Sequence, residues 1–399
     1  MPSPPAPILP LANEGRLLAL THDAGRTGAP IGLLAFLQWW RRESNQPVAS
    51  IVRSPGPLVP AFQELGPCLV LGDTWLHRTR LGRRLLGRLP AGIGQQRRAL
   101  LDFVKRQAPS VVYASTLTHG TLLDLLSPLG LPTVSHSHEL EYWITRAGPE
   151  NLRLVRQHTH HYLAAAEAVR QHLIDPLGLP AEQITVVHEH IARLPDLPAP
   201  AIRQRERERL GLPAGAFVIG GCGAEHWRKG RDLIPGLLQA VRRRLPGRDV
   251  RFLWIGRPGS AEEERTLRYD LRLTGTLDAY VTSGEVKDPF PLYAALDAFA
   301  LLSREDPFPL ACLEAAAAGA PVLCFEGAGG MPEFTRRGCG LSVPYLDLHA
   351  LAEQIAWLDA HPDDARTMAA AARREVEAAH LPHRTGPRIA KVLQQVAQA

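Results

Sequence analysis

Two carboxylates in an otherwise apolar stretch are the residues of this sequence that most clearly suggest chemistry. Asp306 and Glu314 are separated by seven residues in SREDPFPLACLEAAAAGAPVLCF, and Glu314 is the only ionisable residue from Leu310 to Ala318. A helix that is apolar on all faces is normally buried, and a buried carboxylate needs hydrogen-bond donors. Glu314 is therefore either a helix residue that points into water, the usual fate of glutamate, or an acceptor for a ligand with paired hydroxyls, such as a ribose. We favour the ligand, because no other polar side chain shares its face.

A glycine-rich turn about 80 residues earlier could bind an anion. In FVIGGCGAEHWRKGRDL, an apolar strand pattern and several glycines precede Lys229 and Gly230, and a helix is predicted from there to about Arg244. Free N–H groups and the positive end of a helix dipole attract anions at such a turn, and Arg228 and Lys229 add full charges. The stretch matches neither the Walker loop nor the G-x-G-x-x-G fingerprint. Taken alone, an ordinary βα turn with surface Arg and Lys explains it equally well.

The first half of the chain carries weaker candidates. In THDAGRTGAPIGLLAFLQWW, Gly28 lies in a loop of small residues where a substrate could approach the backbone; a flexible βα loop is the alternative. In PTVSHSHELEYW, His136 and His138 follow a predicted strand. A zinc site needs further ligands that H-x-H alone does not supply, so a satisfied histidine in the core or at its rim is the simplest interpretation. VVHEHI, Val186 to Ile191, ends the last predicted strand of this half, and we assign it no chemical role.

The elements that must position these residues follow one pattern. Short apolar runs alternate with helical patterns along the chain, which is typical of parallel strands joined by crossover helices, so the fold class is α/β. Open sheets of this kind bind ligands at the carboxyl ends of their strands. Strands are predicted at Leu17 to Thr21, Val48 to Val52, Cys68 to Leu71, Val111 to Ala114, Thr133 to Ser135, His161 to Ala165, Ile184 to Val187, Phe217 to Gly221, Val250 to Ile255, Tyr280 to Thr282, Ala298 to Leu302 and Pro321 to Phe325.

Composition limits the class of protein. The chain has 399 residues, of which 45% are apolar and 21% are charged, as expected for a globular protein of about two domains. A proline-rich and then charged stretch interrupts the strand pattern and predicts a domain boundary near residues 195 to 201. Five cysteines without a C-x-x-C pair indicate neither a disulfide framework nor a zinc site, and fit a reducing, cytoplasmic location. No apolar run approaches the roughly 18 residues of a membrane span, and the N-terminus is a poor signal peptide.

Positive charge is concentrated between Arg78 and Arg106, against the single acid Asp102. Trp and Leu residues are interleaved with it, so the segment could be amphipathic and contact an anionic membrane. A solvated, arginine-rich surface is the alternative. No aromatic stacking platform or recognition motif accompanies it, so nucleic acid is not expected as a partner. The basic residues are Arg78, Arg80, Arg83, Arg84, Arg88, Arg97, Arg98, Lys105 and Arg106.

The segment SREDPFPLACLEAAAAGAPVLCFEGAGGMPEF, with the Lys229 and Gly230 turn before it, resembles the nucleotide-sugar half of retaining GT-B glycosyltransferases of family 4. The similarity is strong from Phe217 to Ala356 and looser in the first half. It implies two Rossmann-like, doubly wound domains that face each other across a cleft. The acceptor domain would span residues 16–195 and the nucleotide-sugar domain residues 196–375. A flexible tail (1–15) would precede them, and a C-terminal helix (376–399) would pack back on the first domain.

The resemblance implies a role for each candidate in the second half. Asp306 and Glu314 match the family's two carboxylates, so Glu314 would hold the ribose and Asp306 the hydroxyls of the transferred sugar. Backbone groups around Phe308 and Leu310 would assist. Lys229 matches the family's diphosphate-binding lysine.

Other positions match the family less closely. Gly223 and Ala224 occupy the places of its usual arginine, so Arg228 is the candidate to replace that residue. The first carboxylate is Asp rather than the commoner Glu. Gly330 lies in a loop that resembles the family's glycine-rich one near the phosphates.

The first half is expected to face the donor sugar. Gly28 lies in the loop that would face the donor across the cleft. His138, which an acid follows, best matches the family's histidine near the hydroxymethyl group of the sugar, and His136 is the second choice.

The implied reaction is retaining transfer of a sugar from a nucleotide sugar to a saccharide, lipid-linked or other hydroxyl acceptor, in glycan or cell-envelope biosynthesis. The main catalytic task is to stabilise the leaving diphosphate, for which Lys229 and Arg228 are suited. Because the sequence has no D-x-D triad, we expect no metal and no other cofactor. The alternatives are an epimerase of the same fold that acts on the nucleotide sugar, and a non-catalytic nucleotide-sugar-binding protein. The expected location is cytoplasmic, with peripheral contact at the inner face of the membrane as an option.

Overall fold

A computed structural model of the protein describes residues 15–72, 91–224 and 226–398. These residues form two compact units. The first comprises the described residues up to Ala192 together with those from Pro382 onward, and the second runs from Arg193 to Leu381. The sequence had predicted the divisions after residue 195 and after residue 375.

The first unit is built on a seven-stranded parallel sheet in the order β3-β2-β1-β4-β5-β6-β7. Most strand residues are buried, because helices cover both faces of a parallel sheet of this type. Its strands are β1 (Arg16–Asp23), β2 (Val48–Ser54), β3 (Cys68–Val70), β4 (Pro109–Ala114), β5 (Thr133–Ser137), β6 (His161–Ala164) and β7 (Ile184–Val186).

Helices connect these strands as in a doubly wound fold. They are α1 (Gly28–Ser44), α2 (Val59–Leu65), α3 (Ala91–Gln107), α4 (Gly120–Leu126), α5 (Glu141–Ala147), α6 (Pro149–His158) and α7 (Glu167–Ile174). Helix α1 is deeply packed at its aromatic end, where Phe36 and Trp40 are at most 1% exposed. Gly28 is the first residue of α1, directly after the loop that follows β1.

The second unit contains a six-stranded parallel sheet in the order β10-β9-β8-β11-β12-β13. Its strands are β8 (Phe217–Cys222), β9 (Val250–Ile255), β10 (Tyr280–Gly284), β11 (Ala298–Leu301), β12 (Val322–Phe325) and β13 (Gly340–Val343). Its helices are α8 (Pro200–Arg209), α9 (Ile234–Arg244), α10 (Ala261–Leu273), α11 (Phe290–Tyr293), α12 (Leu310–Ala317), α13 (Met331–Phe334), α14 (Leu348–Ala360) and α15 (Pro362–Ala379).

The last helix, α16 (Pro382–Gln398), belongs to the first unit. Ile389 and Leu393 are buried in the same apolar cluster as Phe36 of α1. Gly386 faces Trp39, and a Cβ at this position would lie 2.4 Å from the indole ring. The close approach of α16 to α1 therefore depends on glycine at position 386.

The predicted α/β class and the GT-B architecture of two Rossmann-like units are confirmed. Each predicted strand is present within a few residues, and the sequence missed β13. This strand has only four residues and lies at the edge of its sheet. It also directly follows a kinked segment in which Gly338 has a φ of 76°. Such a short strand without alternation or β-branched repetition gives little signal in sequence.

Candidate active site

In the second unit, the loops after the neighbouring strands β8 and β11 bring three predicted site residues together. Lys229 Nζ donates to Asp306 Oδ2 at 2.6 Å, and Arg228 Nη1 lies 3.3 Å from Asp306 Oδ1. Ser303 Oγ donates to Asp306 Oδ2 at 2.9 Å. We call these four residues the cationic cluster. Its location at the carboxyl ends of parallel strands is where open α/β sheets bind ligands.

The charges of the cationic cluster favour an anion. Asp306 is only 6% exposed, and burial by itself raises the pKa of its carboxyl group. The charges of Lys229 and Arg228 outweigh burial, so the pKa of Asp306 lies below its ordinary value. Two cations against one carboxylate leave a net positive charge. The side chains of Lys229 and Arg228 are 19% and 13% exposed, so both cations remain accessible at the surface of the unit.

The turn that carries Lys229 differs from the prediction. The sequence suggested a helix beginning near Gly230, but the α-helix α9 begins at Ile234, after a 3-10 turn at Arg231–Leu233. Gly230 has a φ of 68°, and a Cβ there would lie 1.9 Å from the carbonyl oxygen of Leu302. Glycine is therefore required for the close approach of this turn to the end of β11. The charge of the turn comes from its side chains more than from a helix dipole.

The glycine-rich loop before α13 holds the backbone of Asp306. Gly329 forms a parallel bridge with Asp306, and the N–H of Asp306 donates to Ala328 O at 2.7 Å. Gly330, which the resemblance predicted to lie near the phosphates, follows this bridge, and its N–H donates to Pro307 O at 2.8 Å. That N–H group is thus already used, and Gly330 does not offer it to a phosphate.

Glu314 lies on α12, a helix that is buried apart from Ala311 and Glu314. The side chain of Glu314 is half-buried, and Tyr293 OH donates to its Oε2 at 3.1 Å. Burial raises the pKa of Glu314 to about 7, although the hydrogen bond from Tyr293 lowers it. The sequence had suggested a ligand as the hydrogen-bond donor, and it missed Tyr293. The carboxylate still has acceptor capacity beyond this one bond.

The two backbone positions predicted to assist Asp306 lie at the start of α12. Phe308 is 4% exposed, and its ring stacks on His380 with centroids 5.3 Å apart. Leu310 is the first residue of the helix, where N–H groups have no acceptor within the helix. This geometry is compatible with a contact between the backbone of these two residues and sugar hydroxyls, and that role stays a prediction.

In the first unit, His138 follows β5 and forms a buried pair with a residue that sequence reasoning missed. Its Nδ1 is hydrogen-bonded to Glu189 Oε1, in the loop after β7. The adjacent acid, Glu139, instead accepts the N–H groups of Leu117 and His138 at 3.1 and 3.0 Å. We call His136, His138, Glu189 and His190 the histidine cluster.

The imidazoles of the histidine cluster have different electrostatic environments. Burial lowers the pKa of His138, but the charge and hydrogen bond of Glu189 outweigh burial, so its pKa is raised. His136 lies beside it, with ring centroids 4.1 Å apart, and its Nδ1 is 2.7 Å from Tyr113 OH. Burial holds the pKa of His136 well below its usual value. His138 is thus the imidazole of this pair that can carry a proton.

The glycine that allows the histidine cluster to approach α1 is Gly32. Gly28 is the exposed first residue of α1, where the φ of glycine is not unusual. A Cβ at Gly32 would lie 3.2 Å from Glu189 Oε2, and the carbonyl oxygen of Gly32 lies 3.1 Å from His190 Nε2. The stretch VVHEHI, to which the sequence analysis gave no role, therefore supplies two residues of the cluster. The available signal was an acid between two histidines shortly after a predicted strand.

The basic segment is described only in part. Arg97, Arg98, Lys105 and Arg106 are exposed on α3. The remaining basic residues, at positions 78–88, lie outside the described residues. Among the described residues, no helix is long and apolar enough to cross a membrane.

Two family models match this chain. The model described as "Glycosyltransferase Family 4" matches residues 37–191, and that described as "Glycosyl transferases group 1" matches residues 216–361. Together the two ranges cover most of the chain, one in each unit. The second range contains the whole cationic cluster and Glu314.

Curated relatives are similar over part of the chain. A D-inositol 3-phosphate glycosyltransferase of Saccharomonospora viridis is 29% identical over 185 residues, which are 45% of this chain and 43% of the relative. A GDP-mannose-dependent alpha-(1-6)-phosphatidylinositol monomannoside mannosyltransferase of Mycobacterium tuberculosis is 28% identical over 255 residues, 61% of this chain and 64% of the relative. The chain thus spans between two fifths and two thirds of the length of these relatives.

Solved structures with the same fold cover nearly the whole chain. HepE of Anabaena in complex with UDP-glucose has a TM-score of 0.79 at 19% identity, and covers 96% of this chain and 100% of that one. WaaG, a glycosyltransferase involved in lipopolysaccharide biosynthesis, has a TM-score of 0.71 at 14% identity, with 95% and 99% covered. At this identity the likeness shows the GT-B fold. With the family models in both halves, it follows that the chain belongs to the family 4, group 1 glycosyltransferases.

Proposed function

We propose that this protein is a glycosyltransferase that moves a sugar from a nucleotide-sugar donor to the hydroxyl group of a saccharide or lipid-linked acceptor. One observation carries the proposal: Lys229 and Arg228 converge on the buried carboxylate of Asp306 at the carboxyl ends of β8 and β11. This is the arrangement expected of a site that receives a diphosphate next to sugar hydroxyls.

The proposed mechanism uses the cationic cluster to stabilise the leaving group. Negative charge grows on the diphosphate as the bond to the anomeric carbon breaks, and cations held in place stabilise it without reorganisation. Asp306 keeps Lys229 in position through their 2.6 Å hydrogen bond. Lys229 would then contact both Asp306 and the diphosphate. Asp306 would accept hydrogen bonds from hydroxyl groups of the sugar. Arg228 takes the part of the arginine that the family usually carries earlier in the loop.

Glu314 would bind the donor at its nucleoside end. Its carboxylate accepts Tyr293 OH at 3.1 Å and retains capacity for the two ribose hydroxyls. Charge-assisted hydrogen bonds of this kind contribute roughly 1.5 to 3 kcal/mol each. We further propose that transfer retains the anomeric configuration and needs no metal ion, since two cationic side chains are available for the diphosphate.

The relatives suggest which compounds to test first. One of them is named as GDP-mannose-dependent, and HepE was solved with UDP-glucose. The acceptors in the relatives' names are an inositol phosphate and a phosphatidylinositol mannoside. We therefore propose a polyol or saccharide hydroxyl as the acceptor, used in glycan or cell-envelope biosynthesis at the cytoplasmic side of the membrane.

We also propose that α3 contributes a weak membrane contact. Arg97, Arg98, Lys105 and Arg106 are exposed on this helix, and exposed cations near a membrane contribute about 1 kcal/mol each to binding of anionic lipids. Sedimentation with phosphatidylglycerol vesicles at low and high salt tests this contact. Arg97→Glu with Arg98→Glu should weaken binding at low salt, whereas equal binding of wild type and variant contradicts it.

The experiment that tests the function is a panel of UDP-, GDP-, ADP- and dTDP-sugars. A bound donor raises the melting temperature, and by more when it binds more tightly. Each donor that does so is then incubated with inositol phosphates and saccharides. We expect one base to stabilise the protein, transfer to persist in EDTA, and NMR of the product to show the donor's anomeric configuration. Product without an acceptor would indicate epimerisation instead. Stabilisation without any turnover across the acceptor panel would favour a binding protein.

A further inference from the structure

Glu189 forms a buried pair with His138, and the family resemblance assigns no role to Glu189. Glu189 lies in the loop after β7 and His138 in the loop after β5, 51 residues apart in sequence. Their side chains are 8% and 11% exposed, respectively. An ionised carboxylate can only accept hydrogen bonds, so the proton between them belongs to His138 Nδ1. The opposite ring nitrogen, Nε2, then faces away from Glu189.

The loop that carries Glu189 is itself held firmly. His190 contacts Gly32 O through Nε2 at 3.1 Å and Thr385 Oγ1 through Nδ1 at 2.9 Å. The absence of a side chain at Gly32 leaves room for Glu189 Oε2, which would lie 3.2 Å from a Cβ at that position. The carboxylate is thus packed against the first turns of α1. Its position is determined by the fold and does not depend on His138 alone.

No other acid can take over this contact. Glu139, the sequence neighbour of His138, is 6% exposed and already accepts two backbone N–H groups. On the other side of the ring, His136 bonds to Tyr113 OH through Nδ1 at 2.7 Å and has no acidic partner among the described residues. The orientation of the His138 ring therefore depends on Glu189.

A metal ion is the other occupant that these side chains suggest. Ligand atoms of His136, His138 and Glu189 lie within 4.8 Å of one another. The direct hydrogen bond between His138 and Glu189 is the contact expected of a shared proton. Metal content is nevertheless included below as an outcome.

We propose that Glu189 is a positioning residue for sugar transfer: its carboxylate fixes the Nδ1–H tautomer and the ring orientation of His138, so that Nε2 is the ring nitrogen left to bond a hydroxyl group of a substrate. This inference rests on the proposed function. The principle is that of the carboxylate in carboxylate–histidine pairs, which orients the ring and selects its tautomer. The raised pKa of His138, in which the charge of Glu189 outweighs burial, agrees with such a pair.

The kinetic test compares Glu189→Gln with the matched control Glu182→Gln, an exposed glutamate shortly before β7. Glutamine keeps the size and an acceptor oxygen but loses the charge. We expect Glu189→Gln to lower kcat about tenfold or more, with the KM for the donor changed less than about twofold. Glu182→Gln should leave both unchanged. Glu189→Asp, which restores the charge, should recover part of kcat.

A spectroscopic test separates this inference from the proposed function. In ¹⁵N-histidine-labelled protein, two-bond ¹H–¹⁵N correlations report which ring nitrogen of His138 carries the proton, with or without turnover. We expect the Nδ1–H form of His138 in wild type, and its loss or a mixture of both tautomers in Glu189→Gln. As a control for folding, the melting temperature of the variant should stay within about 2 °C of wild type. If the signature is present but no donor is turned over, only the proposed function fails.

Two results would overturn the inference. One is an identical His138 tautomer and identical kcat in wild type and Glu189→Gln. The other is a stoichiometric transition metal in the purified protein that Glu189→Gln or His136→Ala removes, because Glu189 would then be a metal ligand.

Discussion

The cationic cluster of the second unit and the histidine cluster of the first use a buried carboxylate in different ways. Asp306 contacts Lys229 and Arg228, and these charges lower its pKa in spite of burial. Glu189 contacts an imidazole instead, and its charge raises the pKa of His138. The first carboxylate contacts two basic side chains, whereas the second contacts an imidazole and favours its protonated form.

The two clusters should therefore respond differently to substitution. Removing a cation from the cationic cluster leaves a buried carboxylate without its main partner, which alters charge over the whole site. Changing Glu189 alters the orientation of one ring and leaves the net charge of the proposed phosphate site untouched. We therefore expect the larger loss of activity from the second unit.

The largest effect is expected for Lys229→Ala. It removes the cation that lies 2.6 Å from Asp306 Oδ2 and that we propose to stabilise the leaving diphosphate. Loss of one such preorganised group typically lowers kcat by about 100- to 1000-fold. The measurement is steady-state transfer with the donor identified by thermal shift. Arg243→Ala, an exposed cation on α9, is the control and should have wild-type kinetics.

If Lys229→Ala retained more than about a third of wild-type kcat, Lys229 could not be the main phosphate contact. Arg228 would then be the residue to test. That outcome would mean that substitutions in the two clusters lower kcat by comparable amounts.

The next effect concerns the backbone that holds Asp306. Gly329 has a φ of 143°, and a Cβ there would lie 1.8 Å from the carbonyl oxygen of Asp306. Gly329→Ala should therefore cost about 2 to 4 kcal/mol of folding free energy, from strain and displacement of the loop. Gly28→Ala is the matched control, because Gly28 is exposed at the start of α1 and should change stability by less than about 1 kcal/mol. Calorimetric melting of both variants measures the difference.

Equal stability of the two variants would show that the bridge between Gly329 and Asp306 does not constrain the loop. A large loss for Gly28→Ala alone would instead locate the constrained glycine in the first unit. Either result would contradict the expectation that the backbone at Gly329 is more constrained than the backbone at Gly28.

The sequence predicted the second unit's site better than the first unit's, for a physical reason. Asp306 and Glu314 lie in one contiguous stretch, and their spacing matches the two carboxylates of the family that this stretch resembles. Lys229 could be added because it follows a glycine-rich turn and matches that family's diphosphate-binding lysine. The partner of Glu314 could not be predicted, since Tyr293 comes from the short helix α11 and only packing brings it to α12.

In the first unit, the pattern identified His138 but not its partner. Glu139 was the acid next to it, whereas Glu189 reaches it because β5 and β7 end at the same edge of the sheet. Strand order across a sheet is a tertiary property that a local pattern does not contain. The same limit explains why Gly28 stood out in sequence while Gly32 makes the close approach. Both glycines fit the pattern, and only the position of Glu189 distinguishes them.

The smallest effect is expected for the pH dependence of Glu314. Burial raises the pKa of Glu314 to about 7, against 4.5 as its ordinary value. A group whose pKa is raised by folding contributes stability that is fully present below pH 4.5 and is lost as pH rises to about 7. Because the side chain is only half-buried, we expect a contribution of about 1 to 2 kcal/mol rather than the full value. Glu314→Gln, which cannot ionise, should therefore melt higher than wild type at pH 8 and close to it at pH 5.

Donor binding should depend on the same proton with the opposite sign. Ribose hydroxyls donate to the ionised carboxylate, so binding favours the form that is scarce at pH 6 and abundant at pH 8. For a pKa near 7, the Kd of the donor should fall by about 5- to 10-fold between these pH values in wild type. In Glu314→Gln it should be weaker and nearly independent of pH. Calorimetric titration at pH 6, 7 and 8 measures this. If the wild-type Kd does not change with pH although the melting profile does, Glu314 titrates as described but does not contact the donor. Asp306 would then be the only carboxylate of the second unit with a proposed part in donor binding.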